Sequence, residues 1–297
     1  MPLHLGVIGL SPGNGHPYSW SAIFNGYDPD AMEACGFPVI PRYLEKQRFP
    51  EDGISSAQVT HVWTQDSNLS KQIAESTYIP NIVTHYTDLI NQVDGVLLAR
   101  DDADSHLEFA RPFLEAGLPV YIDKPLALSV AEAQRMIDLQ RFPGQLFSCS
   151  ALRYAQELRL TEAQVKKVGE IHCIHAHVPK DWDKYAIHII EPSLNLLLDR
   201  GKPRRLVNWR CGDRTTLHVE YETGVELQVN TLGATFSPLG LRVCGSRGWC
   251  DLMFSDTFAA FRSALEDFVN GIVARDVRAD PVMMLELVSL IEAGRRQ

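Results

Sequence analysis

An α/β fold is predicted: a doubly wound parallel sheet in the first half of the chain, followed by an α+β domain with a largely antiparallel open sheet. Three observations predict it. Up to about residue 151, short runs of Val, Ile and Leu alternate with helical stretches at intervals of roughly 20 to 30 residues, the rhythm of βαβ units. Beyond Arg153 the pattern changes to strands of alternating polar and apolar residues, as in antiparallel sheets with one solvated face. Within the first pattern stands Val120-Tyr121-Ile122-Asp123-Lys124-Pro125, an apolar run that stops at an acid, a lysine and a proline. Lys124 would therefore leave the carboxyl end of a buried strand, the edge where open α/β sheets bind ligands. Pro125 restricts Lys124 to extended backbone and holds the ammonium at the strand tip.

Composition narrows the function. The 297 residues, 45% of them hydrophobic, suffice for two ordinary domains. Acids outnumber bases 37 to 28 without a basic cluster, which disfavours nucleic acid and anionic membrane as partners. Six cysteines without C-x-x-C spacing indicate neither a disulfide framework nor a zinc knuckle, and fit a reducing cytoplasm. No apolar run approaches the ~20 residues of a membrane span, and the start lacks a signal-like segment.

Taken in order, residues 3–10 read as a buried strand and 19–26 as a helix. The intervening Ser11-Pro-Gly-Asn-Gly-His16 is glycine-rich, a phosphate-binding arrangement. Its glycines fall at Gly9, Gly13 and Gly15, so the G-x-G-x-x-G fingerprint is not met; a loop that simply needs positive φ is the alternative. Residues 29–57 read as an irregular insertion. A second strand covers 59–64 and a helix 69–75, with Asp66 between them either as an acid for the adenosine ribose or as the helix N-cap. A short strand at 82–86, a helix at 88–92 capped by Thr87, and a strand at 95–100 precede Asp101-Asp102-Ala-Asp104-Ser-His106. A helix over 107–116 closes on Gly117 at C′, and after the Lys124 strand come a helix over 130–140 and a last strand at 145–151.

In the second half, strands are expected at 170–178, 205–210, 215–221, 225–231, 239–244 and 249–254. One helix is expected at 184–199 and two more at 257–274 and 281–293. The division is residues 1–151 for a dinucleotide-binding domain and 152–297 for a substrate and oligomerisation domain, with the last helices able to pack back on the first.

This order of elements, with Asp123-Lys124-Pro125 in place of the hallmark E-K-P, resembles the glucose-fructose oxidoreductase/inositol dehydrogenase (Gfo/Idh/MocA) family over nearly the whole chain. Residues 97–106 resemble its A-T-P-x-x-x-H segment beside the cofactor, and residues 116–129 its most characteristic block. Ser150-Ala-Leu-Arg153-Tyr154 resembles the N-x-R-x element that enters the substrate domain. The resemblance implies a Rossmann-type domain and hydride transfer between NAD or NADP, with a lean to NAD, and a hydroxyl or keto carbon of a sugar, cyclitol or nucleotide-sugar-like substrate. It implies Lys124 and His188 as catalytic residues facing the cleft between domains, and Arg153, Tyr154, Lys184 and Tyr185 beside them as substrate-binding residues. Gly9, Ser11, Gly13, Asn14, Gly15, His16, Thr64, Asp66, Arg100, Asp101, His106, Asp123 and Lys124 fall at cofactor positions. Thr64 stands where the ribose acid is expected, and Lys184 where the family has the aspartate of its D-x-x-x-H helix. A catalytically weak sensor or scaffold of the same fold is the second reading.

Two rivals come from other chemistry. Gly9-Leu10-Ser11-Pro12-Gly13 spells the G-x-S-x-G of a hydrolase elbow, but Pro12 removes the N–H that would build the oxyanion hole. His175 and His177 share a strand face, with His188 a conceivable third imidazole; no acid completes a set there, so no metal is assigned. A homodimer or homotetramer through the second sheet is expected, on the ground that Leu217, Val219 and Tyr221 need covering.

Overall fold

The computed structural model describes residues 2–296. These form two compact units: residues through Ala127, Ala131–Cys149 and Thr257–Met284 in the first, and Leu128–Val130, Ser150–Asp256 and Leu285 onward in the second.

In the first unit, β1 (Leu3–Ile8), β2 (Ala57–Trp63), β3 (Asn81–Ile82), β4 (Gly95–Leu98), β5 (Val120–Ile122) and β6 (Leu146–Phe147) pair in the order β3-β2-β1-β4-β5-β6, all parallel. The order reverses between β1 and β4, and that switch point is where such sheets hold ligands. The strands are nearly continuous Val, Ile and Leu because both faces are covered. Helices α1 (His16–Asn25), α4 (Ser67–Ser76), α5 (His106–Ala116) and α6 (Val130–Asp138) are the crossovers, and Gly117 ends α5 at φ 84°. α10 (Thr257–Ala274) belongs to this unit as well: its Phe268 packs 5.6 Å from the Tyr121 ring and 5.7 Å from that of Phe147.

Three local expectations change. Residues 29–57 are not irregular but hold α2 (Pro29–Glu33) and α3 (Val39–Leu44), anchored by buried Met32, Ile40 and Leu44. Asp28 caps α2 by accepting the Ala31 N–H at 2.9 Å, with Pro29 at the first helical position; helices this short leave no periodic signature. The strand expected at 82–86 ends at Ile82, and Tyr86–Leu89 form a 3₁₀ turn where a helix was expected at 88–92.

The second unit opens with α7 (Glu162–Val168) and is built on β7 (Ile171–Val178), β8 (Pro203–Cys211), β9 (Arg214–Tyr221), β10 (Glu226–Thr231), β11 (Gly240–Gly245) and β12 (Trp249–Met253), ordered β12-β11-β7-β10-β9-β8. Only the β7–β10 pair is parallel. The helix expected at 184–199 starts earlier, because the Asp181 carboxylate caps it by accepting the Lys184 N–H, and it is divided at Ala186 into α8 (Trp182–Tyr185) and α9 (Ile187–Leu196). α9 packs on β7, β10 and β11. The last helix, α11 (Pro281–Arg295), divides between the units. Leu217, Val219 and Tyr221 are fully buried within the single chain, so the argument for a partner from those residues fails; the other face carries Thr216, His218 and Glu220. No helix among the described residues is long and apolar enough to cross a membrane.

Candidate active site

The carboxyl ends of β1, β4 and β5 meet at a buried polar network. After β1 the chain must turn tightly beneath α1: a Cβ on Gly9 would lie 2.3 Å from Pro17 Cγ, so only glycine lets strand and helix approach there. Gly13 adopts φ 82° with nothing within 4 Å of a would-be Cβ, leaving the loop open beside the start of α1. Asn14 then braces the loop, its Oδ1 accepting the His16 N–H at 2.8 Å. A glycine at the turn, an open approach and a helix N-terminus fit a dinucleotide pyrophosphate over residues 9–15, although the spacing departs from the usual fingerprint.

Ser11 and Asp101 join the tips of β1 and β4. The Ser11 hydroxyl donates to Asp101 Oδ1 at 2.7 Å and accepts the Asp101 N–H at 3.0 Å. Ser11 is wholly buried and committed to this carboxylate, the opposite of an exposed hydrolase nucleophile. The other Asp101 oxygen lies 3.6 Å from Lys124 Nζ, and both side chains are about nine-tenths buried or more, at 7% exposed each. Lys124 precedes a cis peptide to Pro125.

Behind Lys124, Asp123 is 1% exposed and accepts from three directions. Its Oδ1 takes the Lys124 N–H at 2.8 Å; its Oδ2 takes Asn14 Nδ2 at 2.8 Å and His16 Nδ1 at 2.5 Å. Burial alone would raise its carboxyl, but the charge and hydrogen bond of His16, with Lys124, outweigh burial and hold it below the ordinary 3.8. Asp123 is thus an ionised acceptor, and Nδ1 of His16 is the donor. The imidazole is clamped by Trp20, stacked at 5.0 Å and 13°, and by the edge of Phe261 at 5.0 Å. Trp20 stacks in turn on Tyr121 of β5 at 4.7 Å.

The remaining cofactor candidates of the first unit have structural partners. Thr64 Oγ1 donates to the Asp66 carbonyl at 2.6 Å and meets Ser70, while Asp66 caps α4 through Asn68 N at 2.9 Å; of the two readings of Asp66 the N-cap is the one observed, its exposed carboxylate still reaching solvent. Both ring nitrogens of the buried His106 face carbonyl oxygens, of Leu126 at 3.0 Å and Arg100 at 2.7 Å, so His106 ties the loop after β4 to the loop after β5. Arg100 forms a bidentate pair with Asp102 and contacts Leu10 O and Gln65 Oε1. Gln65, passed over in the sequence, holds the loop by giving Nε2 to Leu10 O at 2.7 Å and accepting Leu10 N at 3.1 Å.

A second cluster lies within the second unit. His188 Nδ1 is 2.8 Å from Ser150 Oγ, which also accepts Leu152 N at 3.2 Å, fixing the rotation of the imidazole. Three residues along α9, Glu191 is 1% exposed. Its Oε2 accepts Ser150 N at 2.6 Å and its Oε1 lies 3.4 Å from Arg153 Nη1. Burial drives the Glu191 carboxyl up to about 7, with Arg153 and the Ser150 N–H pulling the other way. The Tyr185 ring meets His188 edge-on at 5.6 Å and its hydroxyl accepts Lys180 Nζ at 2.5 Å; the Arg153 guanidinium lies 5.3 Å over the Tyr154 ring. Lys184 is half-buried on α8. Ser150 and Glu191 were not singled out as site residues: a buried glutamate three residues from a histidine reads equally as surface amphipathicity until the fold closes over it. The imidazole trio does not assemble, since His188 lies on the helix covering one face of the sheet while His175 is exposed on the other.

Comparison with known proteins agrees with this architecture. A model of the oxidoreductase family with an NAD-binding Rossmann fold, Gfo/Idh/MocA, matches residues 38–149. Inositol 2-dehydrogenase 1 of Saccharopolyspora erythraea is 26% identical over 254 residues, which cover 80% of this chain and 67% of that protein. Among solved structures, myo-inositol 2-dehydrogenase from Lactobacillus plantarum superposes with a TM-score of 0.71 at 16% identity, covering 98% of this chain and 96% of that one. Biliverdin reductase from Synechocystis sp. PCC 6803, in complex with biliverdin and NADP+, gives 0.71 at 13% identity and 98% coverage of both chains.

Proposed function

We propose that the chain is an oxidoreductase of the Gfo/Idh/MocA family, whose model matches residues 38–149, and that it moves a hydride between a nicotinamide dinucleotide and the carbinol or keto carbon of a cyclitol or sugar-like substrate. The dinucleotide, when bound, supplies the hydride acceptor or donor at nicotinamide C4. Loop 9–15 and the start of α1 would hold its pyrophosphate, and the exposed Asp66 carboxylate would be the acid for its ribose. The family match and the inositol dehydrogenase relative support a polyol as substrate; the lean toward NAD over NADP rests on an acid, Asp66, just past β2.

The observation that carries the reading is Lys124, buried at the tip of β5 with Asp101 at 3.6 Å and Asp101 itself fixed by Ser11. In the oxidative direction Lys124, as the neutral amine, accepts the proton of the reacting hydroxyl as the hydride leaves, and Asp101 stabilises the ammonium that results. Asp123, locked by His16 and Asn14, holds the Lys124 backbone and so the position of its side chain. His188, oriented by Ser150, and Arg153, oriented by Glu191, serve in this proposal as hydroxyl-binding groups of the second unit.

Lys124→Met tests the assignment. With a panel of cyclitols and sugars and either dinucleotide, reduced nicotinamide formation should fall by at least about a hundredfold, while dinucleotide still raises the melting temperature. Turnover within a few-fold of the parent removes Lys124 from the chemistry. Dinucleotide binding without turnover of any polyol by the parent protein replaces the enzyme reading with that of a binding module.

A further inference from the structure

On the outward face of the second sheet, away from α9, the β7–β11 register sets Cys244 directly opposite Cys173, and His175 follows two residues along β7 on the same face. Their ligand atoms, two Sγ and one imidazole nitrogen, all lie within 4.8 Å of one another. We propose that Cys173, His175 and Cys244 form a metal site for a thiophilic divalent cation, Zn2+, with the fourth position open to solvent.

Distances support this first. With Zn–S near 2.3 Å and Zn–N near 2.0–2.1 Å, a tetrahedral angle places sulfur and nitrogen about 3.6 Å apart. Cys173 Sγ and His175 Nε2 are 3.5 Å apart, and the Cys244 thiol lies within 4.8 Å of both.

The tautomer of His175 supports it independently. The Ala176 carbonyl can only accept, so Asn230 must turn its Nδ2 toward it, at 3.0 Å. Asn230 Oδ1 then accepts from Thr216 Oγ1 at 2.9 Å and from Gln228 Nε2 at 3.3 Å. Gln228 is thereby oriented with Oε1 toward His175 Nδ1 at 3.0 Å, and that nitrogen must donate. The relay leaves the lone pair on Nε2, the atom aimed at Cys173, an outer-shell hydrogen bond of the kind that prepares imidazoles for metals. The Cys173–Cys244 half of the site is not visible in sequence spacing, because strand register alone brings the two together. The cysteines are half-buried and His175 is exposed, so an ion can enter from solvent, and Glu226 pairs beside Cys173 in β10.

Co2+ added to the reduced full-length protein should give a thiolate-to-cobalt charge-transfer band and tetrahedral d–d bands saturating at one equivalent per chain, both bleached by Zn2+. Cys173→Ser and Cys244→Ser should each abolish the charge-transfer signal at one equivalent. Gln228→Leu should weaken binding about 10- to 100-fold, as outer-shell losses do. Cys211→Ser, on β8, should leave it intact, and circular dichroism without metal reports whether each variant folds. Absence of the band in the reduced protein at tenfold excess Co2+, or its persistence in a folded double variant lacking Cys173 and Cys244, overturns the site. A Cys173–Cys244 disulfide that forms in air, with no metal bound after reduction, overturns it equally.

Discussion

Glu191 should make the second unit lose stability as pH rises through neutrality, and glutamine at that position should abolish the effect. The carboxyl is 1% exposed, and Arg153 Nη1 lies 3.4 Å from it. Burial carries it from the ordinary 4.5 to about 7, so between those values the folded protein keeps a proton that the unfolded chain has released. A folded-state pKa raised in an acid therefore costs stability as pH climbs through this window, and the loss levels off above pH 7. At about 1.4 kcal/mol per pH unit, the separation amounts to about 3 kcal/mol. Glu191→Gln mimics the protonated carboxyl, so at pH 5 it should match the parent within about 1 kcal/mol, whereas at pH 8 it should exceed the parent by about 3 kcal/mol. Urea unfolding of both proteins at the two pH values measures this, and other titrating groups cancel in the double difference. Parallel changes in the two proteins would refute the reasoning and imply that Arg153 holds Glu191 ionised throughout.

Asp123→Asn removes the ionised acceptor of His16 and should destabilise the first unit by about 3 kcal/mol, read as a lowered melting temperature. Because the Asp123 carboxyl is depressed below 3.8, its contribution is present above that pH and lost as pH falls through the folded value; acid unfolding of the asparagine variant should be correspondingly shallower, and an identical acid transition would speak against the His16 contact. Ser150→Ala frees the His188 ring and should lower kcat/KM about tenfold, while His188→Ala lowers it further, on the order of a hundredfold. Dinucleotide-induced thermal stabilisation should be the same in both variants as in the parent. A shift in that stabilisation would mean that the cluster shapes the fold of the protein more than its substrate preference.

The rhythm of strands and helices was legible residue by residue, because parallel strands buried on both faces are written as unbroken runs of Val, Ile and Leu, and because Gly117 and Pro125 mark their boundaries by backbone geometry alone. Lys124 could be placed at a strand tip for the same reason. Shorter elements escaped: α2 and α3 are five and six residues long, less than two turns each, and leave no period to detect. α7 was missed although Thr161-Glu-Ala-Gln164 is a readable capping box, with Thr161 Oγ1 and the Gln164 side chain bonding reciprocally. What only the tertiary structure decided is which polar side chains meet. Ser11 and Asp101 are 90 residues apart, Asn14 and Asp123 are 109 apart, and Ser150 N and Glu191 are 41 apart. Cys173 and Cys244 pair through the register of two strands whose alternation would look the same if slipped by two residues. Local sequence determines backbone preference and burial pattern, since those depend on neighbours along the chain. The protonation of Asp123 and Glu191 and the partners of Lys124 and His188 depend on charge and solvent exclusion in three dimensions, and these exist only once the chain has closed around them.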